Sequence, residues 1–460
     1  MKLALLLVLT ANAFGQALYP LKLSANNRYL VDQNDRPFLL VGDSPQSLIN
    51  GLSETMAAGY LADRKAHGFN AVWINLLCDT YTYCNGSGTT YDGIRPFISG
   101  TGPANYDLST PNPAYFSRVD HMVNLAGQNG LVVFLDPIET GGWLQTLEAN
   151  GPTKAFNYGA YLGRRYSGSP NVVWMSGNDF QDWNSNASDN NLVRQVMAGI
   201  ASSDSTHLQT IELDYPRSYS SQDIALAHLV DLNLVYTYCD TYDYVIRAYN
   251  ALPTMPIFLG EANYEGEHDP NTDGGSVRNL RKQEYWALLS GATGQIYGHF
   301  QTDRTDWSNL REIDTTGVTQ LGYATRLFVG LAWWNLVPDQ RHQIVTAGYG
   351  IFRSNATDLH NSTYATTAWI PDGSASITFA PVSTTLTVAT YKFNGPITAR
   401  WMDPTNGAFT VVQGSPFPNS GTRDFSTPGV NSEGSNDWVL VLATSAARPS
   451  PSSGVRAAVR

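Results

Sequence analysis

The chain is poor in cysteine, in positive charge and in long apolar runs. Its 460 residues include three cysteines, Cys78, Cys84 and Cys239. So few exclude a fold built on a disulfide framework, and no Cys/His spacing suits a zinc site. An odd count leaves at least one thiol unpaired, while Cys78 and Cys84 flank a short tyrosine-rich loop that a local bridge could close. Lysine and arginine total 28 against 39 aspartates and glutamates, a net charge of −11. A nucleic-acid binder needs a basic face to neutralise phosphates, and no basic run exists here, so nucleic acid is not an expected partner. An acidic surface suits a chain that acts on neutral substrates. Past residue 17 no stretch is long and apolar enough to cross a bilayer, so no membrane span is expected. There is no Gly-rich dinucleotide fingerprint after the first strand, and no cofactor is expected.

What is present begins with residues 1–17. Lys2 precedes an apolar run from Leu3 to Thr10, and Ala13-Phe14-Gly15 puts small residues at −3 and −1 of a cleavage before Gln16. That is the build of a secretory signal, so a secreted or periplasmic protein is expected. Aromatics make up 12% of the chain, with 11 Trp and 25 Tyr. Such rings serve as platforms in sugar-binding clefts, and they also fill cores and sheet faces.

From Phe38 onward, short apolar runs alternate with helical stretches. The runs are Phe38–Val41, Ala71–Ile74, Leu131–Leu135, Val172–Trp174, Leu208–Leu213, Leu234–Tyr236, Ile257–Leu259 and Gln295–Tyr297. Helices are expected over 53–67, 116–128, 153–166, 190–203, 241–250, 276–290 and 317–335. Alternation of this kind implies a parallel sheet, and eight units imply a closed (β/α)8 barrel, an α/β TIM-barrel fold. An earlier strand is expected from Tyr19 to Leu30, turning at Asp32-Gln33-Asn34-Asp35. Beyond about residue 340 the pattern becomes short and alternating, with turns such as Pro371-Asp372-Gly373, which reads as a small all-β sandwich. The division expected is a signal over 1–17, a catalytic barrel over 18–340, a β-sandwich over 341–445 and a disordered tail over 446–460.

Acids stand where these strands end. Val172-Val173-Trp174 runs into Ser176-Gly177-Asn178-Asp179, and Ile257-Phe258-Leu259 runs into Gly260-Glu261. The C-terminal ends of barrel strands carry catalysis in this architecture. Strands four and seven lie across the mouth from each other, so Asp179 and Glu261 can converge. Paired carboxyls there suit the cleavage of a glycosidic bond, and the competing reading is that each caps the following helix. Asp43, Asn75 and Asp136 end other strands and could hydrogen-bond sugar hydroxyls, or cap helices instead. Tyr236 or Tyr238 could donate to Glu261 and keep it ionised. Trp143, His299 and Trp307 could wall a sugar pocket or simply pack. Glu265, Glu267 and His268 lie close to Glu261 in sequence and could line the cleft. Asp269-Pro-Asn271-Thr-Asp273-Gly274 matches half of a calcium loop, but Leu280 stands where the bidentate Glu belongs, so an Asx-rich turn is expected and no metal.

Several of these motifs together resemble one family. Gly42-Asp43-Ser44, Trp174-Met-Ser-Gly-Asn-Asp179, Gly260-Glu261 and Gly291-Ala-Thr-Gly-Gln-Ile-Tyr-Gly-His299 look like the apiosidase-like glycoside hydrolases over roughly residues 20–340. Trp401-Met-Asp-Pro-Thr-Asn-Gly407 and Asp437-Trp-Val-Leu-Val-Leu442 look like the C-terminal β-module, labelled collagen-binding, that such chains often carry. The wider superfamily of retaining (β/α)8 glycosidases has Asn-Glu on strand four, where this chain has Asn178-Asp179. The resemblance implies a glycosidase with Asp179 as general acid/base and Glu261 as nucleophile. By the same resemblance Asn178 would hold a 2-hydroxyl. Characterised relatives act on apiose-containing side chains of plant pectin. The partner expected is therefore an oligo- or polysaccharide. The alternative functions are a non-catalytic carbohydrate-binding protein on the same barrel, or a matrix-adhesion protein led by its β-module.

Overall fold

The computed structural model describes residues 16–267, 274–300, 313–357, 359, 362–445 and 447. Its centre is a set of eight strands: β1 Leu40–Asp43, β2 Ala71–Asn75, β3 Val132–Asp136, β4 Val172–Phe180, β5 Gln209–Leu213, β6 Asn233–Thr237, β7 Ile257–Glu261 and β8 Gly294–Tyr297. They form one sheet in the order β5-β4-β3-β2-β1-β8-β7-β6, every neighbouring pair parallel. A ninth strand, Arg217–Tyr219, runs antiparallel along the free edge of β6.

The barrel is nearly closed, and the seam between β5 and β6 is stitched by side chains. Ser220 Oγ donates to Ile211 O at 2.6 Å and accepts from Leu234 N at 2.8 Å. Thr210 Oγ1 donates to Leu232 O at 2.7 Å. These hydroxyls satisfy backbone groups that a missing ladder would otherwise leave buried and unpaired. No α-helix lies between β5 and β6; the Arg217–Tyr219 strand and two short 3₁₀ turns fill that connection.

The other connections are helical: α1 Glu54–Ala66, α2 Pro113–Gln128, α3 Thr140–Tyr166, α4 Ala187–Ala201, α5 Thr241–Asn250, α6 Val277–Leu289 and α7 Thr316–Val329. Side chains of Ser53, Asn112, Asn186, Ser276 and Thr315 cap five of them at the N-terminus. Helix α3 starts 13 residues before the position expected from sequence. Its first half contains Gly141 and Gly142, and a break at Gly151 (φ 74°) precedes Pro152, so glycine and proline mask the helical pattern.

At the N-terminus the long strand expected from Tyr19 is not formed. Asn27 adopts φ 55° and turns the chain, leaving Lys22–Leu23, Leu30–Val31 and Pro37–Phe38 as a small three-stranded sheet. Beyond the barrel, a six-stranded antiparallel sheet faces a three-stranded one. The strand Arg423–Ser426 was not expected, because only Phe425 among its four residues is buried and the alternation is too short to register.

Barrel and β-module share one hydrophobic cluster. Leu280, Tyr285, Trp286 and Phe328 from the barrel helices pack with Tyr364, Ile377, Phe379 and Val439 from the module. Tyr285 stacks on Phe379, with ring centroids 4.9 Å apart. Arg281, itself buried, forms a bidentate pair with buried Asp437 at 2.7 and 3.1 Å. Among the described residues no helix is long and apolar enough to cross a membrane.

Candidate active site

Side-chain parity decides which acids reach the barrel mouth, because a strand alternates its faces residue by residue. On β2, Trp73 packs inside while Val72 and Ile74 meet the helices, so Asn75 ends the strand pointing inward. Phe134 sets the same parity on β3, and Asp136 follows it inward. On β5, Ile211 and Leu213 face the helices, which turns Glu212 inward. On β1 the parity is reversed for the acid: Leu40 lies inside, Val41 outside, and Asp43 outside after it.

The two candidate catalytic acids reach the mouth by different routes: Asp179 keeps the inward parity of Val173 and Met175, whereas Glu261 breaks the parity of its strand. On β4, Ser176 pairs with Ile211 and Phe180 with Leu213, so Gly177, Asn178 and Asp179 stand opposite the single residue Glu212. All three have positive φ, 108°, 58° and 57°. A Cβ on residue 177 would sit 2.1 Å from Glu212 O, so only glycine fits there. Asn and Asp tolerate the left-handed region better than most side chains. The bulge brings Asn178 into the mouth beside Asp179. On β7, Val235 pairs with Leu259 but Tyr236 pairs with Glu261, leaving Gly260 as the extra residue. That slip turns Glu261 from the outer parity of Ile257 and Leu259 to the inner side, beside Tyr236.

Hydrogen bonds then fix the cluster. Asp179 Oδ2 accepts from the Tyr81 hydroxyl at 2.5 Å, and Asp179 N donates to Glu212 Oε2 at 3.2 Å. Asn178 Nδ2 donates to Gln46 Oε1 at 3.1 Å, and Gln46 Nε2 donates to the Tyr264 hydroxyl at 2.9 Å. Burial pushes Asp179, Glu212 and Glu261 all above the usual carboxylate range. Burial is also the main cause for Glu261, and the charges of Asp179 and Glu267 push it further; the Tyr264 and Tyr236 hydroxyls pull it back. After burial, Glu212 is raised by Glu261 and then by Asp179. Burial and the neighbouring negative charges therefore favour the protonated forms of these acids.

Residues 24–335 match the model of the apiosidase-like catalytic domain. The chain belongs to the apiosidase-like family. Residues 355–443 match a second model, named for the collagen-binding domain of a collagenase. Two solved structures share the whole architecture. One is described as a glycoside hydrolase, 21% identical, with 93% of this chain and 97% of that one covered at a TM-score of 0.77. The other is a glycoside hydrolase family 5 protein from Bacteroides vulgatus ATCC 8482, also 21% identical, with 94% and 95% covered at a TM-score of 0.77. At that identity they show a shared fold. No curated protein matches the chain.

Within this apiosidase-like barrel the residues singled out from sequence fall into three groups. Asp179, Glu261, Asn178, Tyr236, Asn75 and Asp136 converge on the mouth. Asn75 Oδ1 accepts from Trp73 Nε1 at 3.0 Å. Asp136 accepts from Ile138 N at 2.9 Å, its second oxygen has no partner, and burial pushes it up to about 8. Tyr238 lies beside Tyr236, but its hydroxyl donates to Glu267 at 3.3 Å. A second group is turned away. Asp43 is fully buried on the outer face, where Oδ2 accepts from the Tyr60 hydroxyl at 2.6 Å and pairs with Arg64 at 3.4 Å. Burial raises Asp43, and Arg64, Tyr60, Ser44 and His299 each offset that in part. Trp143 is fully buried under Gly88 and stacked on Tyr106, 5.8 Å between centroids, so it is a core ring and not a pocket wall. Glu265 is consumed by the Tyr297 and Thr315 hydroxyls, each at 2.5 Å. Trp307, His268 and the calcium-like stretch 269–273 lie outside the described residues.

Cys78 and Cys84 are joined by a disulfide, and Cys239 is buried. Among the described residues one cluster has metal-ligand spacing, Asp63 with His67 and Asp314. Arg64 already pairs with both carboxylates at 2.5 and 2.6 Å, so each is engaged in an ion pair. Four members of the site were not anticipated: Glu212, Gln46, Tyr81 and Tyr264. Glu212 was legible, since Gln209-Thr-Ile-Glu-Leu213 alternates with its apolar residues outward. Gln46 and Tyr81 sit in loops and carry no periodic signal.

Proposed function

We propose that this chain is an exported glycoside hydrolase that cleaves a glycosidic bond in plant or microbial polysaccharide with retention of configuration. The observation that carries the reading is the meeting of Asp179, inward on strand four, with Glu261, turned inward by the slip at Gly260, in one mouth where the Tyr236 hydroxyl acts on both. Asp179, raised by burial, protonates the leaving oxygen while the Glu261 carboxylate attacks the anomeric carbon. Water then enters, gives its proton to Asp179, and releases the sugar from Glu261. Asn178, held by Gln46, is placed to bond the sugar's 2-hydroxyl. Retaining enzymes hold the two carboxyls about 5–5.5 Å apart and inverting ones about 6.5–9.5 Å, and the Tyr236 hydroxyl that acts on both Asp179 and Glu261 favours the shorter arrangement.

The test is sugar release from a panel of polysaccharides that includes pectin with apiose-bearing side chains. Wild type should release a product that Glu261→Gln does not. Asp179→Asn should lower kcat by about 10²–10⁴-fold on poor leaving groups, and much less on activated aryl glycosides that need no acid. Release unchanged by Glu261→Gln would remove the nucleophile assignment. No release from any glycan, together with retained glycan binding, would favour a non-catalytic carbohydrate-binding protein.

A further inference from the structure

Tyr81 belongs to neither strand nor barrel helix, yet three separate features aim its hydroxyl at Asp179. The first is the Cys78–Cys84 disulfide, which closes the loop that carries it. The second is Asp79, which caps the single 3₁₀ turn Thr80–Thr82: its Oδ1 accepts from Tyr81 N at 2.9 Å, and its carbonyl accepts from Cys84 N at 2.7 Å. The third is a pair of glycines at the start of α3. A Cβ on Gly141 would lie 2.2 Å from the Tyr81 ring, and one on Gly142 would lie 2.1 Å from the Asp79 carboxylate. Two adjacent glycines in a helix's first turns weaken that helix, and here they make room for this ring and this acid. The outcome is the 2.5 Å contact from the Tyr81 hydroxyl to Asp179 Oδ2.

We propose that Tyr81 is the positioning residue of the general acid, and that the Cys78–Cys84 loop and the Gly141-Gly142 step exist to hold its hydroxyl against Asp179. The inference rests on the assignment of Asp179 proposed above. When Asp179 gives its proton to the leaving oxygen, negative charge develops on its carboxyl. A fixed hydroxyl donor stabilises that charge and sets the carboxyl's rotation before substrate arrives. In the second step the same contact holds the ionised form that accepts the proton from water. The hydroxyl therefore acts in the transition state more than in substrate binding.

The direction of the effect on titration follows. Burial raises Asp179, and the Tyr81 hydroxyl lowers it. Asp214 and Tyr236 also act on this carboxyl, and Glu212 and Glu261 share the site. Tyr81→Phe keeps the ring on Gly141 and removes only the donor, so it should raise Asp179's pKa.

The experiment follows Asp179 directly, in the full chain labelled with carboxyl-¹³C aspartate, its resonance assigned by its loss in Asp179→Asn. Titration midpoints are compared for wild type, Tyr81→Phe, Gly141→Ala and the Cys78→Ser/Cys84→Ser double variant. An upward shift in Tyr81→Phe, matched in direction by Gly141→Ala and by loss of the disulfide, with no further shift when Tyr81→Phe is added to either, is the expected result. An Asp179 midpoint unmoved in Tyr81→Phe overturns the proposal. On a glycan the wild type cleaves, Tyr81→Phe should lower kcat by about tenfold or more with KM nearly unchanged, and move the alkaline limb of the pH profile upward. If Asp179→Asn cleaves that glycan as well as wild type, the catalytic assignment itself has failed. If Asp179→Asn is inactive but Tyr81→Phe matches wild type in kcat and pH profile, only the role of Tyr81 has failed.

Discussion

At the scale of single residues, the site is a balance between burial, which favours neutral acids, and hydroxyl or amide donors, which favour charged ones. Glu212 shows the balance most plainly. It is fully buried, one oxygen has no partner, and the other accepts from Asp179 N. Burial and the charges of Glu261, Asp179 and Asp136 raise it well above the usual carboxylate range, and its structural task is to accept the amide of a residue held at φ 57°. Glu212→Ala leaves that amide without an acceptor and should cost about 1–3 kcal/mol of stability by urea unfolding. Glu212→Gln keeps an acceptor of the same length and should stay within about 0.5 kcal/mol of wild type at pH 7. Equal losses in the two variants would show that the amide contact is not what Glu212 supplies.

Among the elements, α6 is the unusual one. Every residue from Asn279 to Leu289 is buried, including Arg281, Lys282 and Glu284. A helix on a barrel's outer ring normally keeps a wet polar face; this one is covered by the β-module. Burial pushes Glu284 up to about 8 and Lys282 down to about 8. A carboxyl whose pKa is raised on folding holds its proton more tightly in the native state, so native stability falls as pH rises from about 4.5 to about 8. Glu284→Gln removes that loss. Its melting temperature should match wild type near pH 4.5 and exceed it at pH 8, the gap opening between those values. A constant gap across the range would mean that Glu284 does not titrate in that window.

For the whole molecule, the β-module is a buttress as well as an appendage. Arg281 on α6 and Asp437 at the start of the last strand are both buried, and their bidentate pair sits within the shared hydrophobic cluster. Removing one member of a buried pair strands the other's charge. Arg281→Met should therefore cost about 3–5 kcal/mol, measured as a fall in the denaturation midpoint of the full chain. A loss below about 1 kcal/mol would mean that the junction relaxes to admit water. The same reasoning gives the module a structural share in the barrel's integrity, whatever else it binds.

The sequence by itself determined the eight strands, most of the helices and the change to β-structure past residue 340, because burial demands apolar runs at the period of each element. It also determined that acids end strands four and seven. It did not determine which strand-end polar groups face the mouth. Asp43 and Asp136 look alike in sequence, yet one packs against α1 and the other enters the barrel, since parity counts from whichever residue the core accepts as inward. The slip that turns Glu261 inward and the bulge that brings Asn178 beside Asp179 arise from pairing with neighbouring strands, at Tyr236 and at Glu212, which no local pattern encodes. Trp143 fell to the core for the same kind of reason: the loop carrying Gly88 folds over it. Local chemistry fixes what each segment can be, and only the packing of distant segments decides which oxygen meets which proton.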